Sequence, residues 1–233
     1  MNQPVVTLKN LQFRWLENQP PVLDIEELEV QTGERIFIKG PSGSGKTTLL
    51  NLLAGVLLPT SGTVKVLDTD IATLNSADRD GFRASHIGFV FQMFNLIPYL
   101  TLVENVTLPC GFSDVRRQRV EQNGTTLEQE AKRLLVHLKL DPAHFEHRSA
   151  TQLSVGQQQR VAVARALIGM PEIIICDEPT SSLDADARQS FLGLLFQEVE
   201  AAEATLIFVS HDSELAKGFT RTVELSAINR GEP

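Results

Sequence analysis

The chain has 233 residues, 42% of them hydrophobic and 21% charged, with 29 acidic against 21 basic side chains and a formal net charge of −8. Length and apolar content suffice for one large domain with a sizeable core, and they exclude a disordered or fibrous chain. The negative balance argues against a protein whose main task is gripping a nucleic-acid backbone, so no nucleic acid is expected as a partner. A local site for a small anion remains open.

Met1-Asn2-Gln3-Pro4 lacks the basic and apolar regions of a signal peptide. Downstream, Leu11, Phe13 and Trp15 alternate with Gln12 and Arg14, the pattern of a half-buried strand. Arg35 to Lys39 is a short β-rich run that ends at a glycine-rich turn, and Thr48 to Ala54 then reads as helix. The apolar stretch Leu49 to Leu58 is interrupted by Asn51 and Gly55 and is too short for a membrane span, so a soluble chain is expected. Thr63 to Leu67 and Gly88 to Gln92 are further strand candidates.

Between the Arg35–Lys39 strand and the Thr48–Ala54 helix lies Gly40-Pro41-Ser42-Gly43-Ser44-Gly45-Lys46-Thr47, which matches the P-loop pattern G-x-x-x-x-G-K-[ST]. Glycines allow torsions that turn successive N–H groups inward, forming a concave anion site at a helix N-terminus. Lys46 is placed to reach the β- and γ-phosphates of a nucleotide, and the Thr47 hydroxyl suits Mg²⁺. Thr48, which opens the predicted helix, completes the nucleotide-binding set.

The middle of the chain changes character. Gly111 to Gly124 carries Arg116, Arg117 and Arg119 and reads as a solvated loop face. Thr125-Thr126-Leu127-Glu128 has the spacing of a capping box, with Thr125 three residues before Glu128. Leu127, Ala131, Leu134, Leu135 and Leu138 recur at helical spacing until Asp141-Pro142 stops the helix. This stretch reads as a helical subdomain inserted into an α/β core.

Leu153-Ser154-Val155-Gly156-Gln157-Gln158-Gln159-Arg160 follows. Ser154 and Gln157 form another capping box, so a helix begins here and runs through Val161, Ala164, Leu167 and Ile168 to stop at Gly169-Met170-Pro171. A helix start bearing a serine hydroxyl and a glycine is a second anion site. Ile173-Ile174-Ile175-Cys176 is a strand buried on both faces, which makes Cys176 a buried reduced thiol; two cysteines, the other Cys110, are too few for a disulfide-stapled fold. Asp177 at the strand end is placed to hold Mg²⁺, and Glu178 to orient or deprotonate an attacking water. A helix (Phe191, Leu192, Leu195, Phe196, Val199) and a second buried strand, Leu206 to Val209, complete a strand–helix–strand alternation, the mark of a mostly parallel sheet.

The Leu153–Gln157 stretch resembles the signature motif of ATP-binding-cassette (ABC) ATPases, with Val155 in place of the usual first glycine. Gln92 resembles that family's Q-loop glutamine, Ser182-Leu183-Asp184 its D-loop and His211 its switch histidine. Trp15 matches the aromatic position that stacks on adenine. The resemblance covers essentially the whole chain and implies an α/β P-loop NTPase cassette: a mostly parallel core sheet, an antiparallel β subdomain and an inserted helical subdomain. It divides a single ABC ATPase domain, 1–233, into an ATP-binding core with β subdomain (1–92 and 161–233) and a helical and signature subdomain (93–160). It implies ATP and Mg²⁺ as cofactors, with Thr47, Gln92 and Asp177 as metal ligands. Lys46, Gln92, Glu178 and His211 become catalytic. Gly40 to Thr48, Trp15, Gln92, Asp177, Ser154, Val155, Gly156, Gln157 and Asp184 become nucleotide contacts.

The run from His86 through Gln92 and Phe94-Asn95-Leu96 to Leu108-Pro109 looks like the cassettes of the lipoprotein-releasing (LolD), macrolide-export (MacB) and FtsE-like subfamily. That implies a homodimer around two ATP molecules, and an integral membrane permease of FtsX/MacB-like type. Localisation would be cytoplasmic, peripheral on the inner face of the plasma membrane through the permease. An amino-acid importer subunit and a non-transport ABC ATPase are the alternatives.

Overall fold

The computed structural model describes residues 4–141, 143, 149–181 and 183–232. In chain order its elements are β1 (Pro4–Phe13), β2 (Leu23–Gln31), β3 (Arg35–Lys39), α1 (Lys46–Leu53), β4 (Ser61–Val66), β5 (Thr69–Asp70), α2 (Ser76–His86), β6 (Ile87–Val90) and α3 (Leu102–Thr107). Then come α4 (Asp114–Gln122), α5 (Leu127–His137), α6 (Val155–Leu167), β7 (Ile173–Asp177), α7 (Ala185–Ala201), β8 (Thr205–Ser210), β9 (Arg221–Glu224) and α8 (Leu225–Ile228). The first three residues, Pro142 and Ser182, on which readings above fall, lie outside the described residues. The described residues form two compact units, one running through Arg83 and resuming at Thr205, the other Ala84–Ala204.

In the first unit, an antiparallel sheet of order β2-β1-β4-β5 is organised by alternation. Leu8 stands opposite Leu28, Leu11 opposite Ile25 and Phe13 opposite Leu23, and all six are buried. The alternation slips at Lys9-Asn10, where Asn10 takes a positive φ of 48° and the pairing with β4 shifts register. This bulge re-aims Leu11 and Phe13 onto the core face. The expected strand stops at Phe13, so Trp15 lies past its end.

Strands β8, β3 and β9 of this unit run parallel, with β3 in the middle. The central side chains of β3 and β8 are apolar without alternation, and Ile36, Phe37, Ile38 and Leu206 to Val209 are all fully buried, whereas the outer strand β9 is largely exposed. Phe37 stacks on Phe208 at 5.9 Å, and Phe219 tilts against both rings.

In the second unit β6 and β7 pair in parallel, and every residue of β7 is buried. Gly88 is required there: a Cβ would lie 2.2 Å from the Ala166 carbonyl oxygen, so only glycine lets α6 approach the strand this closely. The thiol of Cys176 is completely buried, which pushes its pKa up and keeps it protonated. Helix α5 begins one residue later than its capping pattern predicts. Thr126 and Gln129 form the box, and Glu128 instead pairs with Lys132 at 2.6 Å across one turn. Ala131, Leu134 and Leu135 form the buried stripe of this helix.

The arginine-rich stretch is corrected outright. Ser113 caps α4, and Arg116 is 1% exposed rather than solvated. Its guanidinium donates to the carbonyl oxygens of Ile87 (2.7 Å), Ala166 (3.2 Å) and Ile168 (3.1 Å), joining the start of β6 to the end of α6. Burial lowers its pKa to about 10, which still leaves it charged at neutral pH. Arg119 reaches Glu172, which also accepts from His86. Charge counting reads the stretch as surface; the fold uses one of its cations as an internal tie. Replacing Arg116 with alanine strips a donor from three buried carbonyls. The expected cost is about 3 kcal/mol, read as a lowered urea midpoint, and Arg116→Lys recovers only part because an ammonium lacks the fork.

Candidate functional site

The first unit carries the P-loop, His211 and Trp15. Because Lys39 is in register with Ser210, β3 and β8 end together, and Gly40 and His211 emerge from adjacent strand ends. That is where ligands collect in parallel sheets. Gly45 caps α1 with φ 91°, a conformation that disfavours any side chain, and a Cβ there would meet Leu23 at 2.9 Å. No side chain caps α1, so the first-turn amides are left for an anion. The Ser44 hydroxyl is buried with no hydrogen-bond partner. Lys46 is 5% exposed, and its ammonium donates to the carbonyl oxygens of Gly40 (2.9 Å) and Pro41 (2.8 Å).

Pro41, Ser42, Gly43 and Thr47 are exposed, and Thr48 is half-buried. An orphaned hydroxyl, uncapped amides and an ammonium resting on carbonyls fit the phosphates of a nucleotide. Trp15 is 57% exposed, and buried Phe13 meets it edge-on at 4.9 Å. An aromatic ring held this way presents apolar surface to a ligand. His211 is exposed, while Asp212 accepts from the Glu214 amide and orders the turn that follows.

The second unit carries the remaining residues. Val90 is in register with Cys176, so β6 ends one residue before β7, on the same side of the sheet. Gln92, exposed two residues past β6, therefore leaves the same sheet edge as Asp177 and Glu178. The expected strand stops at Val90, before Gln92. Asp177 is buried at the last position of β7. Glu178 has φ 44°, a left-handed backbone conformation that costs a non-glycine residue about 1 kcal/mol. Strain of this kind gathers at functional sites. Asp177 thus offers a carboxylate where a buried strand ends, a hard oxygen donor of the kind Mg²⁺ takes.

Helix α6 begins as its sequence predicts. The Ser154 hydroxyl accepts from the Gln157 amide (3.3 Å), and the Gln157 side chain accepts from the Ser154 amide (2.9 Å). The serine keeps its own O–H for an acceptor outside the helix. Val155 is exposed. Gly156 costs a helix about 1 kcal/mol relative to alanine, yet a Cβ on it would meet nothing within 4 Å. Neither packing nor a positive φ demands that glycine, so the bare backbone suits the close approach of a ligand. Asp184 is exposed and caps α7 through the Ala187 amide at 2.8 Å.

Three side chains escaped the sequence reading. Besides Arg116, Arg165 of α6 donates to the Phe94 and Asn95 carbonyl oxygens, holding two residues of positive φ just past Gln92. Gln159 of α6 donates to the Pro179 carbonyl oxygen at 2.8 Å. A signal exists for Gln159: it shares its helix face with Val163 and Ala166, four and seven residues on, so a polar group sits in an apolar stripe.

The family model described as "ABC transporter" matches residues 23–181. The lipoprotein-releasing system ATP-binding protein LolD of Syntrophotalea carbinolica is 38% identical over 88% of this chain and 86% of its own. The macrolide export ATP-binding/permease protein MacB of Rhodopirellula baltica is also 38% identical, over 91% of this chain but only 30% of its own. Among solved structures, the ATP-binding cassette MJ0796, dimeric in a post-hydrolysis state with ADP and Pi, aligns with TM-score 0.81 and 35% identity over 97% of both chains. The chain thus belongs to the ABC transporter family and is one of its ATP-hydrolysing cassettes.

Proposed function

We propose that this chain is the ATP-hydrolysing subunit of an ABC transporter of the LolD/MacB-like export or extraction type, acting as a homodimer on a separate permease. The observation that carries the hydrolytic reading is the shared edge of parallel strands in each unit. It collects the P-loop with His211 in one, and Gln92 with Asp177 and Glu178 in the other. In this reading 1–92 and 161–233 form the ATP-binding core with its β subdomain, and 93–160 the helical and signature subdomain.

The first-turn amides of α1 and the Lys46 ammonium receive the phosphates, releasing the carbonyls of Gly40 and Pro41. Trp15 stacks on the base. Thr47, Gln92 and Asp177 would hold Mg²⁺, which would supply charge neutralisation at the phosphates. Glu178 takes the proton from the attacking water, and His211 donates to the γ-phosphate oxygens as charge builds there. Phosphoryl transfer asks mainly for positioning and charge compensation, and these groups supply both. Ser154 and Gly156 act on the nucleotide held by the partner copy, with Val155, Gln157 and Asp184 flanking it. Each site is then complete only in the dimer.

Among the described residues no helix is long and apolar enough to cross a membrane. Membrane work therefore calls for a permease, proposed as FtsX/MacB-like because MacB's own name joins ATP-binding and permease functions in one chain. The proposed location is the cytoplasmic face of the inner membrane.

Glu178→Gln should bind ATP, lose hydrolysis by about a hundredfold or more, and elute as a dimer only with ATP; wild-type turnover would remove Glu178 from its role. The single tryptophan of the chain makes Trp15 a clean reporter. Titrating ATP should change its fluorescence, and Trp15→Ala should raise the Kd for ATP about tenfold; an unchanged spectrum at saturation would exclude stacking. Affinity purification of the native protein from solubilised membranes should recover an integral membrane subunit. Recovery of ribosomes or DNA in its place would overturn the transport reading.

A further inference from the structure

We infer that Gln159 is a positioning residue for Glu178, tying the geometry of one nucleotide site to occupancy of the other. The inference rests on the dimeric reading above. Gln159 is 1% exposed, lies five residues into α6, and spends its amide N–H on the carbonyl of the residue that follows Glu178. That residue is Pro179, which has no N–H of its own, so its carbonyl is a natural handle for this backbone. Glu178 just before it sits at φ 44°. A carboxylate on strained backbone keeps its aim only while its neighbours hold the backbone, and the bond from Gln159 is such a restraint.

The remainder of α6 explains why that restraint responds to its N-terminal turn. Toward the far end, Arg165 is fastened to the Phe94 and Asn95 carbonyls, and Arg116 grips the carbonyls of Ala166 and Ile168. Val161 to Leu167 are all buried. The first turn, Ser154 to Gln157, is exposed or half-buried and is held by its own capping box. Gln159 lies between the open end and the anchored end. In the dimer, Ser154 and Gly156 meet the partner's nucleotide, whereas Glu178 serves the nucleotide on its own P-loop. A helix is stiff over two turns, so a shift of the first turn is delivered to Pro179 and thereby to Glu178. Occupancy of one site would then set the aim of the general base in the other.

The test is steady-state hydrolysis by Gln159→Met in the full chain, a change of similar volume that removes the donor. The wild type should show a Hill coefficient for ATP above one. The variant should keep KM within about twofold, lose about tenfold in kcat, and show a Hill coefficient of about one. Its ATP-induced change in Trp15 fluorescence should match wild type, establishing a folded nucleotide-binding chain. Should that variant fail to fold, Gln159→Glu, which keeps the length and sets an acceptor against the carbonyl, is read by the same criteria. A folded variant with wild-type kcat and Hill coefficient overturns the inference. So does one that loses kcat with the Hill coefficient unchanged, since a local structural role predicts that pattern. A wild type that hydrolyses no ATP overturns the functional reading itself, a result separable from both.

Discussion

Parallel pairing of short, fully buried strands is the constraint on which the site depends. Strands β3 and β7 have no face for polar side chains, so functional groups can enter only where a strand stops. Register makes paired strands stop within a residue of each other: Lys39 lies against Ser210, and Val90 against Cys176, one residue before β7 ends. Four segments with little polar chemistry of their own thereby deliver a lysine loop, a histidine, a glutamine and two carboxylates at strand ends. The continuous apolar run that locks the register, at about 1.5–3 kcal/mol per buried large side chain, is the same feature that concentrates the chemistry beyond it.

Capture of backbone carbonyls by buried side-chain donors is a second, less visible device. Arg116, Arg165 and Gln159 each donate to carbonyl oxygens, and all but the Arg116–Ile87 bond have one end on α6 or its C-cap. Burying a donor is costly unless it is satisfied. Once satisfied, it fixes a loop more firmly than apolar contact does, because a hydrogen bond specifies direction as well as distance. The segments held this way include those adjoining Gln92 and Glu178, and both contain residues of positive φ. Tertiary bonds sustain backbone conformations that local preference opposes.

In a chain with net charge −8, the proposed phosphate site is built from uncapped backbone amides, the Lys46 ammonium and the Ser44 hydroxyl. Partial charges at a helix start are fixed in direction and add nothing to net charge. Overall acidity and a local anion site are therefore compatible.

Much of the site was legible in the chain because its pieces are local. A P-loop is eight consecutive residues whose glycines and lysine act on one turn, and the Ser154–Gln157 box closes within one turn. The buried run ending in Asp177-Glu178 announces its strand by composition. Boundaries were less legible: the strand ahead of Trp15 ends at Phe13, and α5 is capped by Thr126 rather than Thr125, because two adjacent threonines offer nearly the same local box. The arginines after Gly111 were misread because charge alone does not reveal burial. What the sequence by itself determined is the local chemistry: which residues can hold phosphate, cap a helix or end a strand. Only the tertiary structure decided where Arg116, Arg165 and Gln159 point, since their acceptors are carbonyls from 20 to 71 residues away. Every residue carries such a carbonyl, so no side-chain pattern marks the ones that packing brings within reach.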